Sequence, residues 1–420
     1  MSNNDDFRRH RKKPSQIVNR FIFKGSAWVI YAIAHGLHFF KLRYNERSNQ
    51  LEEVQHHRIW SKIVVAIKVL LIAGQYVHYF VLVVAIYIYT RLMNGSTAQN
   101  LVMSVLMQGI GINVLRRLVI FLHAKSDRRL VKHIVNEILK ITSVIERKIG
   151  MVYSCDPVLL TVYLCKLWLL YILLDSLWNH SYFLLLNFLY WVLLEYCFAG
   201  YFMYQLILLS WYSSIIRFLQ RFIDDNENRM DIESQYHRRL FLLLELHLRI
   251  NNLHKCIKDE LSWLLTSIYL MIFTSIFNME LLIECTLFAE DELENKLYII
   301  ADGCLGPVFI PILYVLILGM CTDRFRDAEL QLQQLIVIIQ GLYTRKAKPR
   351  TLAVIVLDNE HTSLILHQKL EPLQNRIILG TTCDRQFVME YILTVILTAL
   401  SLVQYTISCG QSISECVTHK

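Results

Sequence analysis

The sequence predicts an all-α, polytopic membrane protein with seven transmembrane helices, a cytosolic amino terminus, an extracellular carboxyl terminus and long cytosolic helical extensions. Three observations carry that expectation. The 420 residues are 55% hydrophobic, mean hydropathy is +0.37, and apolar runs long enough for a hydrocarbon core of about 30 Å recur along the chain. Basic residues gather in alternate connections between those runs, the bias that fixes orientation in a bilayer. Only 6 Pro and 14 Gly occur, with no repeat or low-complexity tract, so residues 1–420 read as a single membrane domain.

Residues 1–61 are expected on the cytosolic side. Within them the apolar stretch 21–40 contains Lys24, His35 and His38, and basic clusters flank it, Arg8, Arg9, Arg11, Lys12 and Lys13 before, Lys41, Arg43, Arg47, Arg58 and Lys62 after. A crossing would strand one cluster outside, so 21–40 is expected to be a re-entrant or interfacial helix. The spans fall near 63–90, 101–123, 159–179, 183–213, 263–288, 297–320 and 387–408. The first is about 42 Å long at 1.5 Å per residue, so it must tilt or project into the cytosol.

The cytosolic connections 124–158, 214–262 and 321–386 hold the bases, among them Arg128, Arg129, Arg238, Arg239, Arg324 and Arg326. The outer connections are short and nearly free of base, and the sequon Asn94-Gly-Ser in the first makes Asn94 a glycosylation candidate. Leu240, Leu243, Leu244, Leu246, Ile250, Leu253, Ile257 and Leu261 recur at helical intervals among charges, and similar patterns occupy Arg128–Ile149 and Arg326–Ile339. Cytosolic helices that prolong the spans are expected there; an amphipathic helix resting on anionic lipid has the same pattern.

Several classes are excluded. The net charge of +8 is explained by orientation, since no basic soluble face exists for nucleic acid. The 10 Cys lack zinc spacing, so no metal is expected. No phosphate-binding loop, metalloprotease motif or nucleophile elbow occurs, and Gly109-Ile-Gly111 lacks a third glycine, so neither an enzyme nor a cofactor is expected.

Ionisable residues inside spans are costly and stand out as functional candidates: Lys68, Asp175, Glu195, Glu280, Glu284 and Asp302. Lys68 can snorkel. Glu195 is roughly 18 Å from the outer end of its helix and must face protein or a cavity. Glu280 and Glu284 share one helix face and Asp302 lies in the next span, giving either an acidic outer vestibule or hydrogen-bonded structural groups. Tyr76, His78, Tyr79, Gln108, Trp178, Asn187, Tyr190 and Tyr196 crowd the outer halves of the early spans. They line a small-molecule pocket or form an interfacial aromatic belt.

The last span differs from the rest. Thr394, Thr398, Ser401 and Tyr405 recur every three or four residues, with Gln404 beside them. One reading is a pore lining in an assembly of copies; the other is hydrogen bonding between helices of one subunit.

In length, span number, orientation and cytosolic helices the chain resembles the insect gustatory receptors. Their terminal motif is Thr-Tyr, five hydrophobic residues, then Gln-Phe; here Leu397-Thr398-Ala399-Leu400-Ser401-Leu402-Val403-Gln404-Tyr405 keeps the Gln and an aromatic and replaces Thr-Tyr by Leu-Thr. The resemblance implies a plasma-membrane receptor of chemosensory neurons, a homo- or heterotetramer with related receptors. Its last helices would surround a nonselective cation pore gated near Gln404 and Tyr405, and a small-molecule tastant would bind the outer pocket. Permeant cations and membrane lipid are the other expected partners. Three rivals stand: a G-protein-coupled receptor, which needs an outward amino terminus and whose Asp-Arg-Tyr and Asn-Pro-x-x-Tyr elements are missing; a secondary transporter, for which Glu195 alone speaks; and an olfactory receptor, which shares the channel architecture and against which only the terminal motif favours taste.

Overall fold

The computed structural model describes residues 14–36, 42–53, 128–180, 184–226, 309–346 and 385–418, together with individual residues within 66–88 and 242–268. Among these residues the protein is helical except for one β-hairpin. The helices are α1 (Pro14–Gly36), α2 (Arg128–Lys148), α3 (Pro157–His180), α4 (Leu184–Asn226), α5 (245–259), α6 (Ile310–Lys346) and α7 (Arg385–Thr418). Further helical residues lie within 66–88.

α1 begins seven residues before the expected stretch 21–40 and ends at Gly36. Phe23 is its buried anchor, while other large apolar residues stay uncovered. Phe21 (78% exposed) and Trp28 (69%) point outward, whereas Asn19 turns inward and donates to the Tyr153 carbonyl at 2.9 Å.

The hairpin was not anticipated. β1 (Leu42–Asn45) pairs antiparallel with β2 (Gln50–Glu53), Leu42 opposite Glu53. Asn49 closes the turn at φ 50°, a left-handed conformation that asparagine tolerates well. The side chain of Asn136 on α2 clamps this hairpin, accepting from Leu51 N at 2.8 Å and donating to Leu51 O at 3.4 Å. Four-residue strands among polar turn residues carry too little period-two signal to be legible beforehand.

α2 buries Ile141 and Ile145 on one face, Ile149 is buried just past its end, and Thr142 accepts from the Trp211 indole of α4 at 3.2 Å. Gly150, at φ 89°, then turns the chain out of the helix. The following irregular segment needs partners for its backbone, and side chains of neighbouring helices supply them. Val152 N donates to Ser214 Oγ (2.9 Å), Tyr153 N to Gln16 Oε1 (3.0 Å) and Ser154 N to Ser210 Oγ (3.1 Å). Asp156 caps α3: its carboxylate accepts from Val158 N at 2.9 Å, with Pro157 at the first helical position.

α4 is buried on nearly all sides from Tyr201 to Ile216, as a helix at the centre of a bundle must be. The stretch Leu194–Asp224 within it is long and apolar enough to cross a membrane. α6 packs against α3, α4 and α7. Its buried residues Tyr314, Leu318, Cys321, Phe325, Leu332 and Ile339 follow one another at intervals of three, four and seven, the seam of a helix packed lengthwise on its neighbours. α4 and α6 are both continuous well past the expected spans 183–213 and 297–320.

Candidate functional site

Two constellations stand out, one buried between helices and one along an exposed helix face. The buried one is built from three helices. Tyr163 and Lys166 are three apart on α3, Glu195, Phe198 and Phe202 share a face of α4, and Tyr314 projects from α6. Lys166 is fully buried. Its Nζ lies 2.7 and 2.6 Å from Oε1 and Oε2 of Glu195. Tyr163 donates its hydroxyl to Oε1 at 3.1 Å, and Tyr314 to Oε2 at 2.6 Å. Both carboxylate oxygens are therefore held by protein groups.

Aromatic rings complete the enclosure. Nζ of Lys166 is 4.6 Å from the ring centre of Tyr163, 4.3 Å from Phe198 and 4.2 Å from Tyr314. All three are within cation–π range. Phe202 stacks on Tyr163 at 4.2 Å, and Phe198 meets Tyr314 edge-on at 4.4 Å. Glu195 was legible from the sequence; Lys166 was missed, though it stands between Cys165 and Leu167 inside the expected span 159–179 and meets the same criterion.

The second constellation runs along α7. At about 100° per residue, its residues divide into three sectors. Val388, Tyr391, Ile392 and Val395 turn toward the core, where Val388 and Val395 are buried. Met389, Leu393, Leu397 and Leu400 form an exposed apolar sector. Between them Thr394, Thr398, Ser401 and Tyr405 form an exposed polar sector, whereas Gln404, also exposed, falls among the leucines of the apolar sector. Thr394, Ser401 and Ser408 donate their hydroxyls to the carbonyls of Glu390, Leu397 and Gln404, at 2.7, 2.8 and 2.9 Å. Each donor is thus satisfied within the helix, and the oxygen lone pairs remain available outward. Glu390, one turn before Thr394, continues the polar sector and is exposed, holding Gln386 Nε2 at 2.8 Å; the sequence reading did not single it out.

α6 joins the two constellations. Arg324 pairs with Asp156 at the start of α3 (2.6 Å), and its neighbour Asp323 accepts from Arg385 N at the start of α7 (3.4 Å). Behind this, α4 and α5 run antiparallel, with Tyr204 Oη 3.1 Å from His254 Nδ1 and Tyr212 Oη 3.5 Å from His247 Nδ1. Burial, and secondarily the nearby Lys258 ammonium, press His254 down to about 4. Burial likewise lowers His247.

Of the other expected pocket residues, Tyr76 is half-buried on a helical stretch. Trp178 and Tyr190 lie on α3 and α4, with side chains outside the described set. His78, Tyr79, Gln108, Glu280, Glu284, Asp302 and the sequon Asn94 lie outside the described residues. Among the described residues no group of histidine, cysteine and carboxylate side chains converges on a metal site.

Over 415 residues the chain is 71% identical to gustatory receptor-like 43a of Drosophila melanogaster, an alignment that covers 99% of this chain and 96% of the relative. No family model matches the sequence. Among solved structures the chain is similar to the insect olfactory receptor OR5 from Machilis hrabei in complex with eugenol, at 12% identity and a TM-score of 0.47, covering 91% of this chain and 99% of that one. The protein is a chemosensory receptor and not an enzyme. It belongs to the insect gustatory receptor family, a membership that rests on the sequence relative and bears out the resemblance drawn from architecture and terminal motif.

Proposed function

We propose that the protein is a ligand-gated, nonselective cation channel of the plasma membrane of chemosensory neurons, in which copies of α7 from four subunits surround the pore. The observation that carries this reading is the three-sector division of α7. A lone helix with an apolar sector and a polar sector both left uncovered is incomplete; in a ring of copies the apolar sector meets the neighbouring subunit and the polar sector faces the axis. Hydroxyls satisfied on their own backbone, with lone pairs outward, suit passage of partly hydrated cations. Glu390 places a carboxylate at the end of the stripe nearest the cytosol, and the constriction lies near Gln404 and Tyr405, with Tyr405 on the axis and Gln404 bracing it from the sector that meets the neighbouring subunit.

Membrane embedding is supported by reversed polarity. On α3 the only lysine of the inner turns is fully buried while Trp168 (64% exposed) and Tyr171 (66%) look outward. Lipid makes that arrangement favourable; water would not. The amino terminus is cytosolic and the carboxyl terminus extracellular in this reading, with Asn94 outside.

The ligand is a small molecule held in an outer pocket around Tyr76, Trp178 and Tyr190, with His78, Tyr79, Gln108, Glu280, Glu284 and Asp302 as further contributors. An apolar or a weakly basic ligand suits such a pocket. Lys166 occupies the Glu195 carboxylate, so a weakly basic ligand would turn to Glu280, Glu284 or Asp302 instead. Ligand opens the pore only by binding the open arrangement more tightly.

The test pairs topology with current. Tags before Arg8 and after Lys420 in unpermeabilised cells should be hidden and exposed, respectively, and cells exposed to a panel of apolar and weakly basic small molecules should show cation current. Gln404→Ala should alter gating or selectivity at unchanged surface expression. An exposed amino-terminal tag overturns the arrangement, and gradient-coupled uptake without current favours a transporter.

A further inference from the structure

The polar groups around Lys166 have the composition of a receptor for an ammonium ion. A carboxylate with both oxygens within 2.7 Å of the nitrogen supplies the counter-charge, and three rings with centres 4.2–4.6 Å away supply their negative faces. Two of those rings, Tyr163 and Tyr314, also donate to the same carboxylate, which fixes its orientation before any cation arrives. Pre-organised carboxylate and aromatic walls are the features that proteins use to capture amines from solution. Here the amine is part of the chain.

We propose that Glu195, Tyr163, Phe198 and Tyr314 form an ammonium-binding cage that the protein fills with its own Lys166, and that the same cage takes a free primary alkylammonium ion once that side chain is removed. Filled, the cage ties α3, α4 and α6 together at one point. Each of those helices contributes a group that Lys166 touches, so the ammonium is the common partner of all three. Shape sets the class of free ligand: truncation of lysine to alanine removes three methylenes and the ammonium, the outline of n-propylammonium. A quaternary ammonium is too bulky to replace a nitrogen that approaches both carboxylate oxygens so closely, and a neutral alcohol lacks the charge. The inference stands apart from the channel reading, since it concerns only how three helices are held.

The experiment is thermal unfolding of the full chain in detergent, which needs no known agonist and no current. Lys166→Ala should lower the unfolding temperature by about 5 °C or more, because it leaves Glu195 buried without a counter-ion. Millimolar n-propylamine should restore at least half of that shift, 1-propanol at the same concentration should restore none, and Lys166→Ala combined with Glu195→Gln should not respond to the amine. A folded Lys166→Ala protein indifferent to n-propylamine, or rescued equally by 1-propanol, overturns the proposal. If Lys166→Ala alone yields no folded protein, expression with n-propylamine present should recover it, and the double variant should fold without amine; failure of both arms overturns the proposal as well.

Discussion

Lys166 Nζ sits 2.6 Å from Glu195 Oε2 across the interface of α3 and α4, with the lysine fully buried. Removing one charge of such a pair strands the other, at a cost of about 3–5 kcal/mol, whereas removing both together costs far less. Glu195→Gln and Lys166→Met should each destabilise the protein by that order. The double variant should lose less than either single variant, and a double-mutant cycle from detergent unfolding measures the difference. Additive losses would mean that the two side chains act independently.

Much of the helical framework was legible because hydrophobic run length and charge placement are one-dimensional signals. The pairing of Lys166 with Glu195 was not, because helical periodicity says which residues share a face of one helix but not how two helices are rotated against each other. Tyr314, more than a hundred residues further along, joins the same carboxylate through tertiary packing alone. The polar stripe of α7 lay in plain view, since its residues recur at helical intervals on a single element. Glu390 escaped notice because it lies near the end of the span, where a carboxylate is ordinary.

Asp156 has two tasks, capping α3 through Val158 N and pairing with Arg324. Half of Arg324 is exposed, so the ion pair is screened and contributes at most about 1 kcal/mol. Loss of an aspartate cap typically costs about 1 kcal/mol more. Asp156→Ala should therefore destabilise by about 1–2 kcal/mol and Arg324→Ala by under about 1 kcal/mol, as read from unfolding of the purified variants. Equal losses would assign the whole effect to the pair.

His254 gives stability a pH dependence of known sign. Its folded value, about 4, lies below the ordinary 6.5, so in that interval the unfolded chain takes up a proton that the folded chain refuses. The contribution is present above about pH 6.5 and is lost as pH falls toward 4, by at most about 1.4 kcal/mol per unit. His254→Asn, which keeps an acceptor for Tyr204, should flatten the loss between pH 7 and 5 by about 1–2 kcal/mol. Parallel stability curves for the two proteins would remove His254 as the cause.

Glu390 should act on permeation without touching assembly. In the proposed pore a ring of such carboxylates at the cytosolic mouth would concentrate cations on that side, so Glu390→Gln should cut outward single-channel current by about twofold and inward current less. Excised-patch recording at low ionic strength makes the asymmetry largest. A symmetrical current-voltage relation identical to that of the unsubstituted channel would place Glu390 off the conduction path.

The pore assignment is tested most directly by cysteine substitution along α7, one position at a time, with block of ligand-evoked cation current by a positively charged thiol reagent. Lining by the polar sector predicts block at Thr394→Cys, Thr398→Cys and Ser401→Cys, and none at Leu393→Cys, Leu397→Cys or Leu400→Cys. Block at the leucine positions with the polar positions silent would turn the helix by about a third of a revolution and contradict the assignment.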